Sequence, residues 1–305
     1  MKKRTKIILS FILTFILLYL LFIQVDLGEI FSTLISFNFS LLIIAFVLYL
    51  FSYILRAIRI SLYLNKIRFI DIFSVVCLHN FFINILPLRS GELSYLYLLK
   101  KYNIKFNENL SSLFIIRFFD GISLLIIFLT SFILIDKKPE ILFNFFFLIL
   151  FILTLSILLF LFLYILNYSL KKRNIYIFKI FKNNIRGINN KRTVFLYFLI
   201  SFLIWFSLYS INYVLFKNWD IELTLWQVII ISSLPLLISF LPINTLFSIG
   251  TFEGGFILGM SLFGINPNIS TLVSSSIHVI IICFFIIFGI FGYLLRNIKF
   301  NHSHE

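Results

Sequence analysis

Two apolar runs in this chain stop at Leu-Pro and restart with Gly and Glu, about half of its 305 residues apart. The first interruption reads Leu86-Pro87-Leu88-Arg89-Ser90-Gly91-Glu92. The second reads Leu241-Pro242-Ile243-Asn244, then Ser248-Ile249-Gly250-Thr251-Phe252-Glu253. Among membrane spans, interrupted segments at corresponding places in two halves point to a transport site.

A membrane setting follows from composition. Apolar residues make up 61% of the chain, mean hydropathy is +1.07, and charged residues are only 12%, roughly half the soluble norm. Several runs reach the roughly 20 residues that cross a bilayer as a helix. Met1–Lys6 followed by Ile7–Ile23 reads as a first span; no small-x-small cleavage site follows, and the run outlasts a signal peptide's apolar region. The longest polar segment, Asn167–Thr193, is too short for a catalytic domain with its own core. Cys77 and Cys283 sit inside apolar runs, so no disulfide framework is expected.

The expected spans of the first half are Ile7–Ile23, Phe39–Tyr63, a broken element Ile72–Leu99, and Ser112–Ile135. Those of the second are Ile141–Leu166, Val194–Phe216, a broken element Leu225–Phe263, and Ser270–Leu295. Asp136–Glu140 connects the halves. If each broken element returns to the side it came from, nearly all of the 26 Lys and Arg face the cytoplasm. Outside stand only Lys137, Lys138 and Lys217, while Arg89 and Arg117 remain near or within the membrane. That asymmetry obeys the positive-inside rule. The expectation is therefore an all-α polytopic protein of the cell membrane with both termini cytoplasmic. It is built as two inverted repeats, 1–139 and 140–305, each of three full spans plus one re-entrant helical hairpin, at 72–99 and 225–263.

At these residues the chain resembles the membrane region of lysylphosphatidylglycerol synthases, a flippase-like family. Arg56-Ala57-Ile58-Arg59 looks like the family's Arg-rich end of the second span. Asn84-x-x-Pro87-x-Arg89-x-Gly91-Glu92 is similar to its Asn-Pro-Arg-Gly-Glu segment, Arg117-x-x-Asp120 to its Arg-x-x-Asp pair, and Pro242 through Gly250-Thr251-Phe252-Glu253 to its Pro-Gly-Gly-x-Gly-x-x-Glu segment. The chain departs from the pattern in three places. Leu246-Phe247-Ser248 stands where Gly-Gly is usual, Tyr95 where an Arg often lies, and Ile116 where an acid often precedes Arg117. The resemblance implies translocation of polar-headed lipids, or service to lipid-linked glycosylation. It also leads to the expectation that the synthases' soluble aminoacylating domain is missing.

Charge at membrane depth is expensive, so Arg89, Glu92, Arg117, Asp120 and Glu253 are functional candidates. Arg117 and Asp120 lie three apart on one helix face and can form an intramembrane ion pair; that pair either buries both charges or faces a ligand. Arg89 lies beside the start of a half-helix, where free N–H groups and a guanidinium fork suit phosphate; snorkelling is the alternative. Ser90-x-Glu92 and Thr251-x-Glu253 repeat one local chemistry, either helix capping or contact with substrate. The candidate headgroup site is thus Asn84, Arg89, Ser90, Gly91, Glu92, Gly250, Thr251 and Glu253. Asn80 and Asn84 share a face and suit interhelical hydrogen bonds or cavity lining. His278 carries no metal-ligand spacing and reads as a buried, hydrogen-bonded histidine. Gly255-x-x-x-Gly259 and Gly289-x-x-Gly292 read as helix-packing faces. Basic, aromatic-laced Asn167–Thr193 suits an interfacial helix on anionic lipid rather than nucleic acid.

These features lead to a lipid translocator for a polar or anionic headgroup, with no cofactor or metal and no catalytic cluster. Its partners would be anionic membrane lipids and a lipid-modifying enzyme or glycosyltransferase. The rival is a membrane enzyme or accessory subunit of lipid-linked glycosylation.

Overall fold

The computed structural model describes residues 27–65, 67–86, 90–102, 104, 106–135, 191–240 and 245–298. The expected spans 7–23 and 141–166, the connector 136–140 and most of the basic segment 167–193 lie outside the described residues. So do Pro87, Arg89 and Pro242.

Every element is helical among the described residues. In chain order they are α1 (Leu27–Ile35), α2 (Phe39–Ser61), α3 (Phe69–Ile85), α4 (Glu92–Lys100), α5 (Phe106–Leu134), α6 (Lys191–Phe216), α7 (Leu225–Phe240), a 3-10 turn (Leu246–Ser248), α8 (Thr251–Ser261) and α9 (Pro267–Ile298). Helices α2, α5, α6 and α9 are long and apolar enough to cross a membrane, and α3 and α7 are shorter apolar helices. Both expected breaks are present, between α3 and α4 and between α7 and α8. The short α1 was not anticipated: its nine residues are too few to register as a span.

Local chemistry sets the helix starts. Asn38 caps α2, its side chain accepting the Ser40 N–H at 3.0 Å. Thr224 and Gln227 form a reciprocal capping box on α7, with Thr224 N–H to Gln227 Oε1 at 2.8 Å and Gln227 N–H to Thr224 Oγ1 at 3.3 Å. Helix α9 opens on Pro267, whose missing N–H costs nothing at the first helical position.

Without a hydrophobic force between helices in lipid, small residues and hydrogen bonds bring them together. On α2, Ala45, Ser52 and Arg59 recur at heptad spacing, all buried, and α2 packs along α6. Helix α9 packs along α3, where Ser74 Oγ donates to the Gly292 carbonyl at 2.7 Å. A side chain on Gly292 would put a Cβ 2.5 Å from that of Cys77. In the second half, a Cβ on Gly255 would lie 2.5 Å from the Pro235 Cα, and one on Gly259 2.7 Å from the Ile231 Cα. Pro235 cannot donate to the Ile231 carbonyl, and Gly259 sits against that carbonyl.

Helix α3 packs on α4 and on α9, and α7 packs on α8 and on α5. Helix α4 packs on α5, and α8 on α9. The 3-10 turn of the second break packs on α3 of the first half.

Candidate functional site

Four helices bring a chain of charges together. Arg59, 2% exposed at the end of α2, donates from Nη1 to Asp120 Oδ1 of α5 at 2.5 Å and to Ser201 Oγ of α6 at 2.6 Å. Asp120 Oδ2 lies 3.5 Å from Arg117 Nη1. Arg117 Nη2 donates to both carboxylate oxygens of Glu92, at the start of α4, at 2.6 Å. The order is Arg59–Asp120–Arg117–Glu92. The inner pair is sealed, with side chains 2% and 5% exposed; the outer pair is 38% and 27% exposed.

This chain of charges borders a cleft lined by Arg56, Arg59, His79, Asn80, Tyr95 and Arg117, with an empty volume of about 350 Å3, mouth included. Arg56 lies one helical turn before Arg59 and makes no ion pair among the described residues. The Nε atoms of Arg56, Arg59 and Arg117 are all buried, with no acceptor among the described residues. The cleft thus holds three guanidiniums against two carboxylates. Its floor is a neutral network. His79 Nδ1 and Ser94 Oγ are 2.9 Å apart, and so are the Tyr95 and Ser112 hydroxyls. Gly91 lets α4 close over the end of α3: a Cβ there would strike the Phe82 carbonyl and the Ile83 backbone.

The second half has its own buried pair. His278 Nδ1 of α9 lies 2.6 Å from Glu253 Oε1 of α8, both side chains 5% exposed. Glu253 Oε2 accepts the Gly250 N–H at 2.6 Å. The Phe252 ring stacks on His278 at 4.3 Å. Glu92–Arg117 and Glu253–His278 are each separated by 25 residues along the chain.

Arg117 and Asp120 do meet, but each has a closer partner, Glu92 and Arg59 respectively. The capping expectation divides. Glu92 is spent on Arg117 rather than on the start of its own helix. Glu253 does cap α8 through Gly250, whereas Thr251 Oγ1 donates to the Ser248 carbonyl instead. Gly250 takes φ 81°, a value that favours glycine. Among the described residues, Asn80 and Asn84 make no hydrogen bond between helices. Their amides donate to the Val76 and Asn80 carbonyls of their own helix, and Asn80 also lines the cleft.

Arg56 and Arg59 read in the sequence as cytoplasmic charges at a span end; the fold turns both inward. The signal available was the heptad stripe with Ala45 and Ser52. His278 is the buried, hydrogen-bonded histidine the sequence led us to expect, with its partner Glu253 on another helix. Among the described residues, no three His, Cys, Asp or Glu side chains gather to hold a metal ion.

A family model described as the lysylphosphatidylglycerol synthase TM region matches residues 7–289. A search of curated proteins found no match. With four long apolar helices among the described residues, the chain is a polytopic membrane protein.

Proposed function

Because the chain belongs to the lysylphosphatidylglycerol synthase TM-region family, we propose that it translocates a lipid whose anionic headgroup enters the arginine cleft while the acyl chains stay in the bilayer. One observation carries this reading: three guanidiniums line the cleft, two of them paired with carboxylates, and Arg56 makes no ion pair among the described residues. An unpaired charge away from water is costly. A phosphate oxygen pair matches a guanidinium fork and supplies the missing charge. The half-exposed Arg117–Glu92 pair can exchange partners with a headgroup at the cleft mouth.

The inverted-repeat arrangement belongs to this proposal. It is supported by the equal spacing of the two Glu–cation pairs. In this reading both broken elements are re-entrant, both termini are cytoplasmic, and the halves rock to expose the cleft alternately.

The test is headgroup accessibility to an impermeant reagent in reconstituted vesicles. Phosphatidylglycerol, its lysylated form and a polyprenyl phosphate are compared in parallel. Arg56→Ala and Arg89→Ala should leave abundance nearly unchanged and lower translocation about tenfold or more, the loss of one charge-assisted hydrogen bond. Lysine should restore it poorly, lacking the planar fork. Movement of none of these lipids faster than in empty vesicles would defeat the proposal. An altered glycan or lipid in deleted cells would then favour the accessory-subunit reading.

A further inference from the structure

Glu253 and His278 stand in the second half as Glu92 and Arg117 stand in the first. Each glutamate lies in the first turn of the short helix after a break, and each cation lies on the long helix that follows, 25 residues along. The halves differ in one chemical respect. Arginine keeps its proton throughout the biological pH range, so Glu92–Arg117 is a permanent ion pair. Imidazole ordinarily exchanges its proton between pH 5 and 8, so Glu253–His278 is an ion pair only while both ring nitrogens are protonated.

The contacts place the groups that share that proton. With His278 neutral, Nδ1–H donates to Glu253 Oε1 and the Gly250 N–H donates to Oε2, leaving one net negative charge in a site 5% exposed. A proton added at Nε2 makes the pair neutral overall. The second half then carries the same charge arrangement as the first. Buried charge without compensation is costly, which gives the site a reason to take up a proton.

No other charge intrudes among the described residues. Helix α7 has no titratable side chain and α8 none besides Glu253. On α9, Cys283 and Tyr293 are exposed and Arg296 lies at the far end. From α3, Cys77 lies against Gly292, His79 is bonded to Ser94, and Asp71 is paired with Arg68. The hydroxyls of Tyr49 and Tyr53 on α2 bond to one another, and Tyr213 on α6 lies beneath Lys217. Glu29 of α1 is exposed.

The pair also has a physical route to the cleft. Glu253 holds Gly250, and Gly250 follows the 3-10 turn in which Phe247 and Ser248 take left-handed φ of 54° and 58°. That turn packs on α3, which supplies Val76, His79 and Asn80 to the cleft wall. We infer that the Glu253–His278 pair is a proton-binding site whose loading is coupled to headgroup movement through the arginine cleft; the coupling rests on the translocator reading, whereas the proton site does not.

Two measurements test this. Deuterium exchange at the imidazole C2 of His278, read by mass spectrometry across pH in the purified full chain, should report a protonation step. Glu253→Gln should alter that profile. A flat profile overturns the proposal without any variant having to fold. In vesicles containing phosphatidylglycerol, with the membrane potential clamped by valinomycin, a gradient of one pH unit should bias labelled lipid between leaflets by up to about tenfold, the value for one proton per lipid. His278→Arg and Glu253→Gln should each abolish the bias. Translocation that ignores the gradient overturns this inference and leaves the arginine cleft standing. No translocation at any pH defeats the translocator reading and the coupling with it, and the exchange profile alone then decides the proton site.

Discussion

At the first break the chain keeps helical backbone at Gly91, and Glu92 reaches out to Arg117 on the next long helix. At the second, Phe247, Ser248 and Gly250 all carry positive φ, and Glu253 folds back onto its own Gly250 N–H. The two breaks share Leu-Pro, a Gly and a Glu, yet one acid joins a water-accessible network while the other is sealed with a histidine. The difference lies in what surrounds the glutamate. In the first half Arg117 brings five donors that cannot be neutralised. In the second, a single ring nitrogen leaves the other carboxylate oxygen available to cap the helix. A shared sequence signature therefore fixes where the chain breaks, and the partner on the following helix decides what the break can do.

The contrast between a sealed pair and an open one is broken most directly at Asp120. Removing either Arg59 or Asp120 leaves an uncompensated buried charge, a cost of about 3–5 kcal/mol. Arg59→Ala and Asp120→Ala should each sharply lower the unfolding midpoint and the amount of protein in the membrane. Replacing both should recover part of the loss. Arg117→Ala, at the half-exposed pair, should cost only about 1 kcal/mol in stability. Equal losses at Arg59 and Arg117 would erase the distinction between inner and outer pairs.

Glycines sharpen it next. Gly91→Ala and Gly255→Ala drive a Cβ into neighbouring backbone, for which overpacking costs about 1–3 kcal/mol. A Cβ on Gly254 meets nothing within 4 Å, so Gly254→Ala should gain up to about 1 kcal/mol from helix propensity. Thermal unfolding in one detergent ranks the three. A tolerated Gly91→Ala would mean that α4 does not need its close approach to α3.

The smallest expected effect concerns backbone strain. Ser248 holds φ 58°, a left-handed value. Ser248→Gly should remove a left-handed penalty of about 1 kcal/mol, partly offset by the added freedom of the unfolded chain. A net rise of about 0.5 kcal/mol in unfolding free energy is expected. A fall would show that the second break is not strained there.

Much of this was legible in the sequence because lipid reduces folding to a few rules. Length and apolarity located α2, α5, α6 and α9 to within a few residues, and Leu-Pro located both breaks. Arg117 and Asp120 could be paired because i and i+3 face one way on a helix. Arg59 could not be joined to them, since 61 positions and a helix crossing separate it from Asp120. Its place at the end of a span also gave it an ordinary reading as a topology signal. Asn80 and Asn84 misled for a different reason. Their amides satisfy themselves on carbonyls one turn back, an option that sequence spacing does not separate from contact with another helix. The left-handed Phe247 and Ser248 were hidden because neither residue type announces such a backbone.

Arg59 also has a mechanical meaning. One guanidinium nitrogen grips Asp120 on α5 and Ser201 on α6 while its own backbone belongs to α2. Three helices drawn from both halves of the chain are thereby riveted at a single point from which water is shut out. Helix α4 hangs from the same frame by the Arg117–Glu92 contact, where solvent competes for both partners. The sealed contact therefore ties the two halves of the chain together, and the hold on α4 is the weaker of the two.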